Sequence, residues 1–403
     1  MSDTTILDSG YSWRRLGLSL AIAVIINVGM WASIVVLPGM QTDFGLDRAQ
    51  ASLPYTFTMF GFAFGNLLIG RVVDRFGVAL ALTGAAVIAS IGFALAALAQ
   101  SLWLVCLLQA AIGFATAAGF GPLIADISLW FLRRRGIAVA IAASGNYLAG
   151  AVWPYLLKGV LAEDGWRAAY LILAAVILLG MTPLTLFMRR RLPDEALTRS
   201  DAASAARAQA VGFSPRALMW LLGLAGIGCC VAMSMPQVHI VAFCVDLGYG
   251  PAVGAEMLAL MLLGGVASRL VSGLLADRLG GVRTLLIGSV LQTIGLMLYL
   301  PTSGLTPLYI VSLVFGLSQG GIVPSYAVIV REYMPAREAG ARTGFVIMAT
   351  ILGMALGGWM SGWIYDLTGS YQAAFLNGIA FNLLNIGIML LVLTRGRPRI
   401  ALA

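Results

Sequence analysis

The sequence predicts an all-α integral membrane protein of twelve transmembrane helices, arranged as two six-helix bundles related by a pseudo-twofold axis. Three observations carry that expectation. Of 403 residues, 60% are hydrophobic and 10% charged, whereas a soluble domain carries about 25% charged residues. The apolar runs are each long enough for a helix to cross a hydrocarbon core, and too long for barrel strands. Finally, a set of short motifs recurs about 200 residues downstream in the same order.

Apolar runs between charges place spans at 14–38, 49–70, 78–99, 102–127, 136–161 and 166–188, then at 217–244, 252–276, 284–302, 305–330, 340–364 and 371–394. The longest polar stretch, 189–216, contains RRRLPDEALTRSDAASAARAQ and reads as a cytoplasmic linker. The domains expected are therefore a bundle over 1–188, a linker over 189–216 and a bundle over 217–403. The polar stretch from Met1 to Trp13 and the length of the first apolar run predict no cleavable signal peptide.

Basic residues set the orientation. With an even number of spans both termini share one side, and that side collects 21 of the 25 basic residues. Only Arg48, Lys158 and Arg167 fall on the other. The positive-inside rule puts both termini in the cytoplasm, in a plasma (inner) membrane. The net charge of +8 thus reports topology rather than nucleic-acid binding.

The repeat is specific. GRVVDRFG (70–77) recurs as GLLADRLG (273–280), Pro122 aligns with Pro324, and WRAAY (166–170) aligns with YQAAF (371–375). A register kept across six helices is a duplicated bundle, with a substrate cavity expected between the halves near the midplane. Asp74, Arg75, Asp277 and Arg278 lie near cytoplasmic helix ends. There a carboxylate can cap a neighbouring helix or pair with an arginine, biasing the balance between inward- and outward-facing states.

The basic residue outside that tally is Arg269, about 12 Å inside the cytoplasmic end of span 8. A central arginine costs roughly 2.5–3.5 kcal/mol on insertion, which makes it a functional candidate. Gly264, Gly265, Ser268 and Ser272 give it a small, polar surround. The repeat maps Arg269 onto Asn66 of span 2, predicting that the two face each other across the cavity. Weaker candidates are Asn146 and Tyr147 in span 5, Gln319 and Tyr326 in span 10, Asn27 and Trp31 in span 1, and His239 in span 7. Each is also a common interhelical hydrogen-bond partner. Cys106, Cys229, Cys230 and Cys244 lack ligand spacing for a metal, and no catalytic pair or cofactor motif is present, so neither an enzyme nor a metal site is expected.

GRVVDRFG resembles the cytoplasmic loop signature of the major facilitator superfamily, G-x-x-x-D-R-x-G-x-R/K, with Ala79 in place of the final basic residue. Within it, WFLRRRGIAVAIAASGNYLAG (130–150) and GWRAAY (165–170) look like spans 4 to 6 of the monocarboxylate porter family, which includes lactate/pyruvate carriers and the oxalate/formate antiporter. HIVAFCVDLGYGPAVGAEML (239–258) and SRLVSGLLADRLG (268–280) look like its spans 7 and 8. The resemblance implies a monomeric secondary carrier of a small organic acid anion, with Arg269 on the carboxylate, Tyr326 on the cavity wall, and a proton or exchanged anion as coupling partner. The proton-coupled animal carriers have a span-1 lysine and an aspartate one turn before the span-8 arginine. Here span 1 has no lysine and Gly265 stands at that turn. The antiporter's second cation, in span 11, is also missing from 344–363. One cation implies a monoanion. An exporter of lipophiles from the same superfamily is the alternative.

The orientation is checked by single cysteines at Ser200 and Glu163 in a chain freed of its native thiols. Membrane-impermeant maleimide added to intact cells should label position 163 alone.

Overall fold

The computed structural model describes residues 7–46, 48–192, 213–249, 251–302 and 304–395. The linker around Ser200 and the tail beyond Arg395 lie outside the described residues. Among the described residues there are twelve helical stretches long and apolar enough to cross a membrane, and no strand. In order they are Gly10–Ser33, Leu53–Phe76, Val78–Leu98, Leu102–Leu129, Arg135–Leu157 and Gly165–Leu186. The second set is Pro215–Ile240, Glu256–Leu279, Gly281–Tyr299, Leu305–Tyr333, Ala336–Thr368 and Tyr371–Arg395. They are called spans 1 to 12 below. Large apolar side chains such as Leu98, Trp103, Leu107 and Leu179 point outward, as a helix bundle solvated by lipid requires.

The loop signatures lie at helix ends in both halves. The helix runs straight through Asp74 and Arg75 to Phe76, and through Asp277 and Arg278 to Leu279. The turn is a single glycine in each half, Gly77 at φ 87° and Gly280 at φ 84°. That left-handed conformation is strained for any residue with a Cβ. The remaining positive-φ glycines among the described residues, Gly45 with Gly248 and Gly165 with Gly369, fall at matching places of the repeat. The duplication is therefore visible in backbone torsions as well as in letters.

The chain forms two compact units. Unit 1 takes residues up to Leu132, Ala142 onward through span 6, and Arg337–Met348; unit 2 takes Arg133–Ile141, the second half of the chain up to Ala336, and the chain from Ala349 onward. Each unit thus includes the opening turns of a helix whose remainder belongs to the other. In unit 1, span 2 packs on span 4 so closely that a Cβ on Gly113 would sit 2.1 Å from the Thr58 carbonyl oxygen. The equivalent seam in unit 2 joins spans 8 and 10, where a Cβ on Gly316 would sit 2.3 Å from the Met261 carbonyl oxygen. Lipid gives no hydrophobic drive between helices, so association relies on such close backbone packing and on polar contacts.

Unit 1 also holds a buried ion pair between Arg15 and Asp126. Arg15 Nε lies 3.0 Å from Asp126 Oδ2, and its Nη2 lies 3.0 and 2.9 Å from Oδ1 and Oδ2. Its Nη1 donates to the carbonyls of Met188 (3.2 Å) and Arg190 (3.3 Å), and the guanidinium lies 4.5 Å from the Trp130 ring centre. The pair ties the start of span 1 to the ends of spans 4 and 6. Such a pair survives burial because its remaining donors are also satisfied.

The seams make a direct prediction. Gly113→Ala and Gly316→Ala should each destabilise the folded protein by about 1–3 kcal/mol through overpacking, read as a lower melting midpoint in detergent. Gly17→Ala and Gly84→Ala, where a Cβ meets open space, should leave the midpoint unchanged.

Candidate functional site

Spans 4 and 10 are both interrupted, at matching places. Span 4 runs as helix over Leu102–Thr116, tightens to a 3-10 turn over Ala117–Gly119, and breaks at Phe120 (φ −125°, ψ −100°) before restarting at Gly121. Span 10 stops at Gln319, passes through Gly320 and Gly321, and restarts at Ile322. Pro122 and Pro324 follow the two breaks, where a missing N–H costs least. Each interruption exposes backbone groups that a continuous helix would satisfy, and inside a membrane these need partners.

Asn66 and Arg269 supply them. Asn66, fully buried, accepts from the Gly121 N–H at 3.0 Å through Oδ1 and donates to the Phe62 carbonyl at 2.8 Å through Nδ2. Arg269, also buried, donates from Nε to the Gly320 carbonyl at 3.1 Å. The two residues the repeat pairs therefore do the same kind of work in their own units. One answers an orphan N–H, the other an orphan C=O. Arginine suits the second task because the end of a helix carries partial negative charge.

The small residues around Arg269 are spent on the seam with span 10. Gly264 packs against the backbone of Leu313 and Leu317, the Gly265 carbonyl lies against Gly320, and Ser272 lies against Gly321. Gln319, at the end of the first segment of span 10, is fully buried, and neither atom of its amide has a hydrogen-bond partner among the described residues. Tyr326, also fully buried, donates to Asn385 Oδ1 at 3.1 Å and lies 3.5 Å from Cys229 Sγ. It belongs to a polar network through Asn382, Ser289 and Thr293 that no local sequence pattern announces.

The other candidates act as interhelical bonds. Asn146 donates to Asn27 Oδ1 at 3.2 Å, Trp31 donates to the Asn146 carbonyl at 3.0 Å, and Asn27 donates to the Gly119 carbonyl at 3.0 Å. Tyr147, half-buried, is the next residue of the same helix. His239 Nε2 lies 2.8 Å from the Gly358 carbonyl and Nδ1 lies 3.4 Å from the Tyr371 hydroxyl.

The loop aspartates cap helices. In unit 1, Asp74 accepts from the Gly340 and Ala341 N–H groups at 2.8 and 2.7 Å, at the start of the helix of span 11. In unit 2, Asp277 accepts from Gly136 at 2.5 Å and Ile137 at 3.1 Å, at the start of the helix of span 5. Glycine against glycine permits this: a Cβ on Gly70 would sit 2.3 Å from the Gly340 carbonyl, and one on Gly136 would sit 2.3 Å from that of Gly273. Arg75 lies over the Phe76 ring at 5.1 Å, and Arg278 occupies the last turn of its helix.

The model of the Major Facilitator Superfamily matches residues 19–305 and 240–402, and the chain belongs to that superfamily. Among curated relatives, mouse monocarboxylate transporter 11 is 31% identical over 388 residues, covering 92% of this chain and 84% of its own. Rat monocarboxylate transporter 13 is 27% identical over 348 residues, covering 84% and 78%. Among solved structures, the human organic anion transporter TETRAN superposes with a TM-score of 0.74 at 17% identity, covering 93% of this chain and 99% of its own. The E. coli fucose:proton symporter gives 0.71 at 15%, covering 95% and 99%. These likenesses establish the transporter fold. The chain is a multi-pass membrane transporter and not an enzyme.

Amide exchange tests the caps. Asp277→Ala should speed exchange at Gly136 and Ile137, and Asp74→Ala at Gly340 and Ala341, each by about tenfold for loss of a charged cap. The pair of amides capped by the untouched aspartate should keep its wild-type rate.

Proposed function

We propose that this transporter carries a small organic monocarboxylate by alternating access, with the substrate carboxylate held by Arg269. The observation that carries the reading is a buried guanidinium in span 8 whose Nε is held by the Gly320 carbonyl at the break in span 10. That bond fixes the plane of the group, and its terminal Nη pair is a fork matching both oxygens of a carboxylate. The likeness to monocarboxylate transporters 11 and 13 supports the same substrate class. With Arg269 as the basic residue that lies deepest along its span and away from the cytoplasmic helix ends, charge matching favours a monoanion.

Gln319 is the second contact in this reading. A buried amide without a partner costs about 1–3 kcal/mol, and a polar substituent on the acid would relieve it. Asn66 holds the equivalent break in the other unit. Asp74 and Asp277 act as releasable caps: as the protein alternates, the starts of spans 11 and 5 leave and rejoin them. The coupling partner in this scheme is a proton or an exchanged anion, and the membrane is the plasma membrane, with both termini cytoplasmic.

Arg269→Lys should bind the acid more weakly, and Arg269→Gln should lose about 30-fold or more in affinity, since breaking a buried charged pair costs about 2–5 kcal/mol. Proteoliposome uptake of a panel of monocarboxylates, with competition by their neutral amides, reads both effects. Gln319→Leu should raise the melting midpoint while weakening uptake of hydroxy- or oxo-acids. Full monocarboxylate transport by Arg269→Gln would overturn the assignment.

A further inference from the structure

Each unit has a cavity at the end of its bundle remote from the Asp74 and Asp277 caps, and the two are related by the repeat. In unit 1 a cavity of about 500 Å³ is lined by Val36, Asp43, Trp166 and Arg167 among others. Arg167 fills its role as an internal cation. Its Nη1 lies 2.6 Å from Asp43 Oδ2, and the same oxygen accepts from Trp166 Nε1 at 2.8 Å. The guanidinium lies 4.2 Å from the Trp166 ring centre and 5.5 Å from that of Phe44. One carboxylate and two aromatic faces hold one organic cation.

In unit 2 the matching cavity, of about 520 Å³, is lined by Asp246, Tyr299, Tyr365, Tyr371, Gln372 and Phe375 among others. Asp246 stands where the repeat puts Asp43, and Tyr371 stands where it puts Trp166. The Tyr365 hydroxyl donates to Asp246, and the Tyr365 ring stacks on Tyr371 with centres 4.4 Å apart. The arginine is missing: the WRAAY of the first half reads YQAAF in the second, so Gln372 replaces Arg167. No basic residue of the second half falls on this side in the sequence topology, while Asp366 adds a further acid beside Tyr365.

We infer that the unit 2 cavity is a binding site for a small soluble organic cation of the guanidinium or methylated-ammonium class, which takes the place that the Arg167 side chain occupies in unit 1. The ligand's charge faces the Asp246 carboxylate. Its flat or methylated surface lies along the tyrosine wall, where a cation within about 6 Å of a ring centre is attracted. Asp246 is exposed at its rim, so binding weakens as salt rises. The site is separate from Arg269 and does not rest on the carboxylate reading.

Isothermal titration calorimetry of the purified full chain in maltoside micelles, with methylguanidinium and tetramethylammonium chloride as probes, tests the site. Sodium chloride serves as the ionic-strength control. Wild type should bind one cation per chain, and Asp246→Asn should bind at least about tenfold more weakly. Gln372→Arg supplies the internal cation of unit 1 and should abolish binding while keeping or raising the melting midpoint. Arg269→Gln should bind the probes like wild type, whatever it does to carboxylate transport. Wild type that takes up no probe beyond the salt control would overturn the site, as would equal affinity in Gln372→Arg.

Discussion

Everything at the centre of this transporter follows from one constraint: a helix broken inside a membrane must find partners for the backbone groups it frees. Spans 4 and 10 are both broken, after Gly119 and after Gln319. Asn66 and Arg269 reach across from the neighbouring helix to answer them. The tight seams at Gly113 and Gly316 bring those neighbours close enough to do so. Small residues, breaks and polar side chains are thus a single arrangement, made twice.

The two copies have diverged in what they place at equivalent points. A neutral amide at Asn66 stands against a guanidinium at Arg269, and Arg167 in its aromatic cradle stands against Gln372. Duplication leaves the backbone work unchanged, as the paired glycine torsions record, and frees the charge at each position to differ.

The spans, their number and the repeat were legible because each is a local pattern of apolar length or a motif at a fixed offset. Arg269 was legible because an isolated charge at membrane depth is costly whatever surrounds it. Its Gly320 contact was not, since a backbone carbonyl carries no sequence signature. The Arg15–Asp126 pair joins residues 111 apart, and the arginine also fits a tally of cytoplasmic charge, so composition alone hid it. Gly264, Gly265 and Ser272 read as a polar surround, because sequence shows that residues are small but not which neighbour needs them to be. Gln319 could be named a candidate, but that its amide lacks a partner among the described residues is a fact of packing alone.

The exchange of helix starts between the compact units has a consequence for how the protein is made. Unit 1 incorporates Arg337–Met348, and unit 2 incorporates Arg133–Ile141. Synthesis runs from one end at about 5–20 residues per second, so the first unit waits roughly 8–30 seconds after its sixth helix for the piece that completes it. During that interval Asp74 has no helix start to cap. The first half of the chain is therefore an unfinished body until the start of span 11 arrives, and the second is complete only with span 12.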